Sequence, residues 1–371
     1  MMTVLVCIPC LLTGGTEIQT LSLVNALVAS GHEVSVACYF EYDESMVCRF
    51  KEAGARIFLM SPEGNRPIGL RKTTSFLFRK FREIIKTVRP DAAHVQYMAP
   101  GALPVLILKL LGIKKIIATS HTNADIYSAT GLRMIRLLTH TCLSAFQCIT
   151  LNAEKSYFGK SGLFDNKLTR HFTIYNSLPS HIRIRPRPRP CLSTGQPCTI
   201  GVVSRLEKIK GMDLVIPAFC RIAAAFPATR LLVVGDGSLR KEMELQAQQS
   251  GLGDNIHFAG RAPQSELNDW YDKIDILLMP SRSEGFGLTA LEGMARGCVP
   301  VVAGTGGLPE VVRDGIDGLV HKPESPDDLA AKVIYLLENI GLLNTLGYTA
   351  QTRARSFSEN EYRNKIATLY S

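Results

Sequence analysis

Short apolar segments alternate with helix-period segments almost from end to end of this chain, and the alternation stops once and starts again. Residues 3–8, 33–38, 56–60, 93–96, 115–120, 148–151 and 173–175 read as strands. Between the first two, Ile18, Leu21, Val24 and Val28 fall on one helical face. Short strands separated by helices call for a parallel sheet with helices on both faces. From residue 181 the pattern fails. The stretch HIRIRPRPRPCLSTGQP is rich in Pro and Arg, and proline fits neither a helix interior nor a central strand, so this reads as an extended linker. A second alternation follows, with strands at 198–204, 230–234, 255–259, 274–279 and 299–303. Its helices fall at 212–226, 238–250, 326–340 and 342–370. The expected fold class is α/β, with two doubly wound, Rossmann-like domains facing a cleft. Such sheets bind ligands outside the carboxyl ends of their strands.

Two domains of ordinary size suit 371 residues, and a 46% hydrophobic composition suits sizeable cores. The charge is lopsided. Residues 1–190 carry 24 Lys and Arg against 12 Asp and Glu, whereas residues 191–371 carry 18 against 21. A basic half points to an anionic partner. Much of the charge sits in a basic amphipathic helix at 71–88, where Arg71, Lys72, Arg79, Lys80, Arg82 and Lys86 face one acid, Glu83. A packed helix with a solvated face is one reading. Contact with an anionic membrane surface is the sharper one. No aromatic platform or nucleic-acid motif accompanies the charge, so nucleic acid is not the expected partner.

Ten cysteines are scattered through apolar runs, which fits a reducing cytoplasm better than secretion. Cys7 and Cys10 form a CxxC inside what reads as the first strand, which favours small buried hydrophobes over a redox or metal pair. The apolar N-terminus breaks at Gly14-Gly15 without a basic flank or cleavage site, and no run reaches the length of a membrane-spanning helix. The apolar run 99–111 reads as a buried helix. The expected location is cytoplasmic, peripheral on the inner face of the membrane if the basic helix docks there.

Four loops carry chemistry. SRSEGFGLTALEGMARG, residues 281–297, follows an apolar run and reads as strand, glycine loop and helix start. It sets Glu284 in the loop and Glu292 on the helix. A helix start offers free amides to a phosphate or hydroxyl, and carboxylates accept hydrogen bonds from hydroxyls. A polyhydroxylated ligand such as a nucleotide sugar fits that pair. Thr13-Gly14-Gly15-Thr16-Glu17 is a second strand–turn–helix junction, without the third glycine of a dinucleotide fingerprint. It reads equally as an ordinary turn. Arg205 and Lys210 follow the first strand of the second half, where two cations suit a pyrophosphate; Lys208 competes for that role. The turn at Gly235 in VVGDG and the strand-end His121 each allow a structural or a ligand-contacting reading. No His, Asp and Glu cluster has metal-ligand spacing, so no metal and no other cofactor is expected.

Taken together, these residues resemble the GT-B glycosyltransferases of family 4, the group 1 transferases, over nearly the whole chain. Glu284 and Glu292 form the Glu-x7-Glu motif. Gly306-Gly307-Leu308-Pro309-Glu310 and the run from Gly315 to Val320 continue it. The resemblance implies retaining transfer from a nucleoside-diphosphate sugar without a catalytic metal. Arg205 and Lys210 would bind the diphosphate and Glu292 the ribose hydroxyls. Glu284 and the amides of Gly285, Phe286 and Gly287 would hold the sugar, with Leu288 and Thr289 adding amides to the phosphate. Gly14, Gly15 and Gly235 fall where the family has donor contacts. His121 would lie near the sugar, and Arg261 where the base is recognised. Residues 1–182 would bind the acceptor, 183–197 form the linker, 198–345 bind the donor, and 346–371 cross back to the first domain. Loops 41–48 and 61–72 carry no readable acceptor signature. The favoured donor is a UDP-sugar, with GDP- and ADP-sugars as near alternatives, and the acceptor a lipid-linked or polysaccharide glycan. A non-catalytic sugar-nucleotide-binding protein and a sugar-nucleotide epimerase are the competing functions. The intact Glu284, Glu292, Arg205 and Lys210 argue against the first of these.

Overall fold

The computed structural model describes residues 1–97, 102–185, 192–193 and 195–371. The heart of the Pro-Arg linker, 186–191, and the start of the apolar run at 99–101 lie outside the described residues. The chain forms two compact units. One is Met1–Ser177 with Glu359–Ser371, the other Leu178–Ser358. The division therefore falls at 177/178 and again at 358/359, rather than at 182 and 345.

In the first unit, β1 (Thr3–Ile8), α1 (Gly15–Ala29), β2 (Glu33–Cys38), α2 (Glu44–Glu52), β3 (Arg56–Leu59) and α3 (Leu70–Val88) are followed by β4 (Ala92–Tyr97) and α4 (Ala102–Leu110). Then come β5 (Lys115–Ser120), α5 (Ala129–Thr141), β6 (Ala145–Cys148), α6 (Leu151–Phe158) and β7 (His171–Thr173). The described strands form one sheet in the order β3-β2-β1-β4-β5-β6-β7, with every neighbouring pair parallel. Side chains of a strand alternate between faces, and β1 shows what that does here. Val4, Val6 and Ile8 enter one core, Leu5 and Cys7 the other. Helices thus cover both faces, and the strand is apolar throughout.

The second unit runs β8 (Thr199–Val203), α7 (Val215–Ala225), β9 (Arg230–Val234), α8 (Arg240–Gln249), β10 (Ile256–Gly260), α9 (Leu267–Asp272), β11 (Ile276–Met279) and α10 (Leu288–Ala295). It continues through β12 (Val299–Ala303), α11 (Leu308–Val311), β13 (Leu319–His321), α12 (Pro326–Glu338) and α13 (Ile340–Arg355). Its described strands are ordered β10-β9-β8-β11-β12-β13, again parallel. The strand order reverses between β1 and β4 in the first sheet and between β8 and β11 in the second.

Several elements differ from the sequence reading. The strand placed at 148–151 is β6, three residues earlier. Thr150 instead caps α6, its hydroxyl accepting from the Ala153 amide at 3.1 Å. The strand placed at 173–175 ends at Thr173. Loop 41–48 contains the start of α2, because the Asp43 carboxylate accepts from the Ser45 amide at 2.9 Å and caps it.

The single helix expected over 342–370 is two, α13 and α14 (Glu359–Tyr370), parted where Phe357 turns inward. Phe357 packs edge-on against Phe286, with ring centroids 5.8 Å apart. Its carbonyl accepts from the Leu178 amide at 2.8 Å. Beyond that break, α14 packs on α1 and places Tyr362, Ile366, Leu369 and Tyr370 in the first unit's core. Burying Ile366 and Leu369 is worth about 1.5–3 kcal/mol each. Tyr370 also hydrogen-bonds His94 Nδ1 at 2.7 Å, and His94 Nε2 meets Thr119 Oγ1 at 2.6 Å. Burial pushes His94 down to about 3, so this imidazole is neutral.

Candidate active site

A doubly wound sheet opens a crevice where its strand order reverses, at the carboxyl ends of the two strands involved. In the second unit those strands are β8 and β11. The loop after β8 carries Arg205 and Lys210, and the loop after β11 carries Glu284. Sheet order thus joins two segments far apart in sequence. Lys210 Nζ donates to Glu284 Oε2 at 2.7 Å, with both side chains largely shielded from solvent. Arg205 stands exposed in the same loop.

Backbone contacts stitch these loops together. Gly211 has φ +67°, and a Cβ there would lie 2.0 Å from the Pro280 carbonyl oxygen. Only glycine lets the Lys210 turn approach the β11 loop this closely. Gly306 does the same for Glu284: a Cβ there would fall 1.9 Å from the Glu284 carbonyl oxygen. That carbonyl also accepts from the Gly307 amide at 3.1 Å. Gly235, read as a donor contact, packs its Cα against the Ser204 carbonyl and thereby holds the Arg205 loop. Glu207 anchors the loop's next residues, accepting from the Ser238 amide and hydroxyl at 3.1 and 2.7 Å.

Sequence reasoning missed Arg282. It grips Asp213 with two hydrogen bonds of 2.6 and 2.9 Å and also reaches Glu324 at 2.8 Å. This bidentate clamp fastens the segment after Lys210 to the loop bearing Glu284. Asp213 and Arg282 are 69 residues apart, and no local pattern links them.

The helix α10 begins after Gly287, whose φ of +106° suits the turn into it. The Phe286 side chain is buried against Phe357, so Phe286 faces a ligand only through its backbone. Leu288 and Thr289 form the first turn, whose amides have no partner within the helix. One turn on, the Tyr271 hydroxyl donates to Glu292 Oε2 at 2.7 Å. Burial pushes the Glu292 carboxyl up to about 7, and the Tyr271 hydrogen bond offsets part of that rise. Tyr271 is another residue the sequence did not single out. Arg261 is exposed just past β10, at the far edge of the sheet.

In the first unit, His121 lies at the carboxyl end of β5 and is buried. Its Nε2 donates to Gln96 Oε1 at 2.6 Å. Burial pushes it down to about 4, so it is neutral at pH 7, with Nδ1 as an acceptor. The Gly14-Gly15 turn leads into α1. The Glu17 carboxylate folds back under the turn and accepts from the Cys10 thiol at 3.3 Å and from the amides of Glu17 and Leu12. A Cβ on Gly14 would meet it at 2.5 Å. Burial raises the pKa of this carboxyl above its ordinary value, and hydrogen bonds from Cys10 and the two amides oppose the rise. Cys10 lies beyond β1, and burial raises its thiol to about 12, as expected of a small buried hydrophobe.

Among the described residues, no group of three or more His, Cys, Asp or Glu side chains is placed to hold a metal ion. Nor is any single helix among them long and apolar enough to cross a membrane.

Two parallel doubly wound units, one with a cation–carboxylate cluster at its switch point, define the GT-B fold. Residues 191–353 match the family of glycosyl transferases group 1, and residues 13–155 match Glycosyltransferase Family 4. An uncharacterized glycosyltransferase of Methanocaldococcus jannaschii is 30% identical over 285 residues, covering 75% of this chain and 74% of that protein. A GDP-mannose-dependent monoacylated α-(1-6)-phosphatidylinositol monomannoside mannosyltransferase of Corynebacterium glutamicum is 32% identical over 271 residues, 69% of this chain and 70% of that one. Among solved structures, Anabaena HepE in complex with UDP and glucose superposes with a TM-score of 0.78 at 18% identity, over 100% of this chain and 99% of that one. The chain belongs to the group 1 glycosyltransferases of family 4 and is a glycosyltransferase.

Proposed function

We propose that this protein transfers a sugar, with retention at the anomeric carbon, from a nucleoside-diphosphate sugar to a hydroxyl of a lipid-linked or polysaccharide acceptor. The observation that carries the reading is the Lys210–Glu284 pair at the switch point of the second sheet, one short loop from Glu292. Arg205 and Lys210 neutralise the diphosphate as the bond from the anomeric carbon to the phosphate oxygen breaks, with amides at the start of α10 adding dipoles to the same charge. Glu292 holds the ribose hydroxyls. Glu284 and the amides of Gly285 to Gly287 hold the sugar, and Glu284 keeps Lys210 aimed at the leaving group. Neutral His121 accepts a hydrogen bond from a sugar hydroxyl through Nδ1 and does not supply a proton. Gly14, Gly15 and Arg261 complete the donor contacts. The acceptor oxygen forms the new bond to the anomeric carbon, and its proton leaves with the diphosphate or to solvent. Charge neutralisation by side chains and amides makes a catalytic metal unnecessary in this scheme.

A UDP-sugar is the preferred donor, in keeping with the UDP bound by the Anabaena protein. A GDP-sugar is the second reading, supported by the Corynebacterium relative's GDP-mannose dependence. That relative's phosphatidylinositol mannoside acceptor supports the lipid-linked reading, and with it a cytoplasmic protein at the inner face of a membrane. Incubation with UDP- and GDP-sugars and candidate glycolipids tests the reading through release of free nucleoside diphosphate. Release that depends on acceptor is expected. Interconversion of the sugar without release would show an epimerase instead, and donor binding without turnover a binding protein.

A further inference from the structure

The first unit carries an outer surface that its own core does not use. Helices α3, α4 and α5 lie side by side. Leu77, Phe81 and Ile84 of α3, Val105 and Leu108 of α4, and Ile135 of α5 enter one core under the same face of the sheet. Their opposite sides therefore form one continuous layer toward solvent. Of 17 large apolar side chains exposed among the described residues, eight fall between Ile68 and Leu137. Ile68 is 88% exposed, Leu70 74%, Leu110 78% and Leu137 61%. Phe78 and Met134 are exposed beside them. Singly exposed apolar residues need no explanation, but a cluster on one layer does.

The same layer is strongly cationic. Residues 68–141 contain 12 Lys and Arg against three Asp and Glu. Arg71, Lys72, Arg79, Arg82, Lys109 and Arg133 are all exposed on these helices. On α3, Phe78 lies among Arg71, Arg79 and Arg82 on the side turned away from Leu77, Phe81 and Ile84, and Leu70 is exposed at the helix start.

We propose that this three-helix layer docks the first unit on a bilayer of anionic phospholipid. The cations meet the headgroups, and Phe78, Leu110, Met134 and Leu137 enter the acyl boundary. The proposal deepens the lipid-linked acceptor reading above by naming the surface that would bring the acceptor's membrane to the protein. Charge selects the occupant. A second copy pairing through this face would set cation against cation. A nucleic acid would match the charge and leave the aliphatic side chains without a partner, since stacking on single strands needs aromatic platforms. A bilayer of acidic lipid answers both halves of the pattern.

The test uses the full chain and co-sedimentation with vesicles of phosphatidylglycerol mixed with phosphatidylcholine, or of phosphatidylcholine alone, at about 0.05 M and about 0.5 M NaCl. UDP affinity and circular dichroism are measured on every variant in parallel. Wild type is expected to bind acidic vesicles at least roughly tenfold better than neutral ones at low salt and to keep part of that binding at high salt. Reversing Arg71, Lys72, Arg79 and Arg82 to Glu is expected to abolish binding. The triple variant Leu110→Ser, Met134→Ser, Leu137→Ser is expected to bind at low salt and release at high salt. Both variants are expected to keep wild-type UDP affinity and fold. Equal affinity for neutral vesicles, no binding at low salt, or tighter binding to duplex DNA than to acidic vesicles overturns the proposal. A triple variant as salt-resistant as wild type overturns the apolar half. Loss of UDP binding by wild type would count against the donor site and leave the surface result standing.

Discussion

Lys210 and Glu284 form an ion pair of 2.7 Å across the point where the second sheet reverses its strand order, although 74 residues separate them. The pair explains how a cation and a carboxylate with opposite preferences for a diphosphate share one crevice. Glu284 holds the ammonium in place and, on the proposed reading, faces the sugar hydroxyls while Lys210 faces the phosphate.

Arg205→Ala and Lys210→Ala are each expected to lower kcat by at least roughly tenfold with the fold intact, because the leaving diphosphate loses a neutralising charge. Lys210→Ala also strips Glu284 of its partner. The double variant Lys210→Ala, Glu284→Ala is therefore expected to lose less than the product of the two single losses. Steady-state kinetics on wild type, Arg205→Ala, Lys210→Ala, Glu284→Ala and the double variant checks this. Near-normal turnover in both single cation variants removes these residues from the site.

Glu292 supplies a pH dependence with a definite sign. Its carboxyl is raised to about 7 by burial, against an ordinary value of 4.5. Ionisation costs the folded state free energy, so the Glu292 contribution to stability is greatest below about pH 4.5 and declines as pH rises toward 7. Donor binding runs the other way, because ribose hydroxyls donate to the carboxylate. Affinity for a UDP-sugar is expected to rise by roughly tenfold from pH 6 to pH 8. Glu292→Gln should flatten the profile. Tyr271→Phe, which removes a hydrogen bond to the carboxylate, should shift its midpoint upward. Calorimetric titration across that range decides; a flat wild-type profile contradicts the assignment of Glu292.

Activity is expected to survive EDTA. The scheme assigns the departing charge to Arg205, Lys210 and amides, and the described residues hold no cluster suited to a metal. An assay with and without chelator checks it. Complete loss restored by Mg²⁺ or Mn²⁺ would overturn the metal-independent scheme.

Deleting residues 359–371 is expected to unfold the first unit, since Tyr362, Ile366, Leu369 and Tyr370 belong to its core. The milder Tyr370→Phe leaves His94 Nδ1 without its partner and should cost about 1–3 kcal/mol in denaturant unfolding. A truncated chain as stable as the full one would show that α14 is a passive tail.

Much of the fold was legible because the signal is local. β1, β2, β5, β9 and β12 begin and end where the apolar runs do. Errors fall where a polar side chain or a distant contact overrides periodicity. Thr150 stops β6 by capping α6, and Phe357 splits a continuous helical pattern by packing on Phe286. The site residues were legible as motifs, and their partners were not. Tyr271 reaches Glu292 and Arg282 reaches Asp213 only through sheet order, and nothing adjacent in sequence marks either contact. Glu17 shows the converse. Its place in the first turn of α1 was plain, yet only side-chain geometry reveals that its carboxylate folds back against Gly14 to meet Cys10 and the Leu12 amide.

On the proposed reading, the switch point of the second sheet is a nucleoside-diphosphate site. Isothermal titration of UDP and GDP into wild type, Arg205→Ala and Glu292→Ala tests it without knowledge of sugar or acceptor. One site per chain is expected for wild type with at least one of the two nucleotides, with affinity reduced at least roughly tenfold in each variant. Absence of binding by wild type, or variants that bind as tightly as wild type, would contradict it.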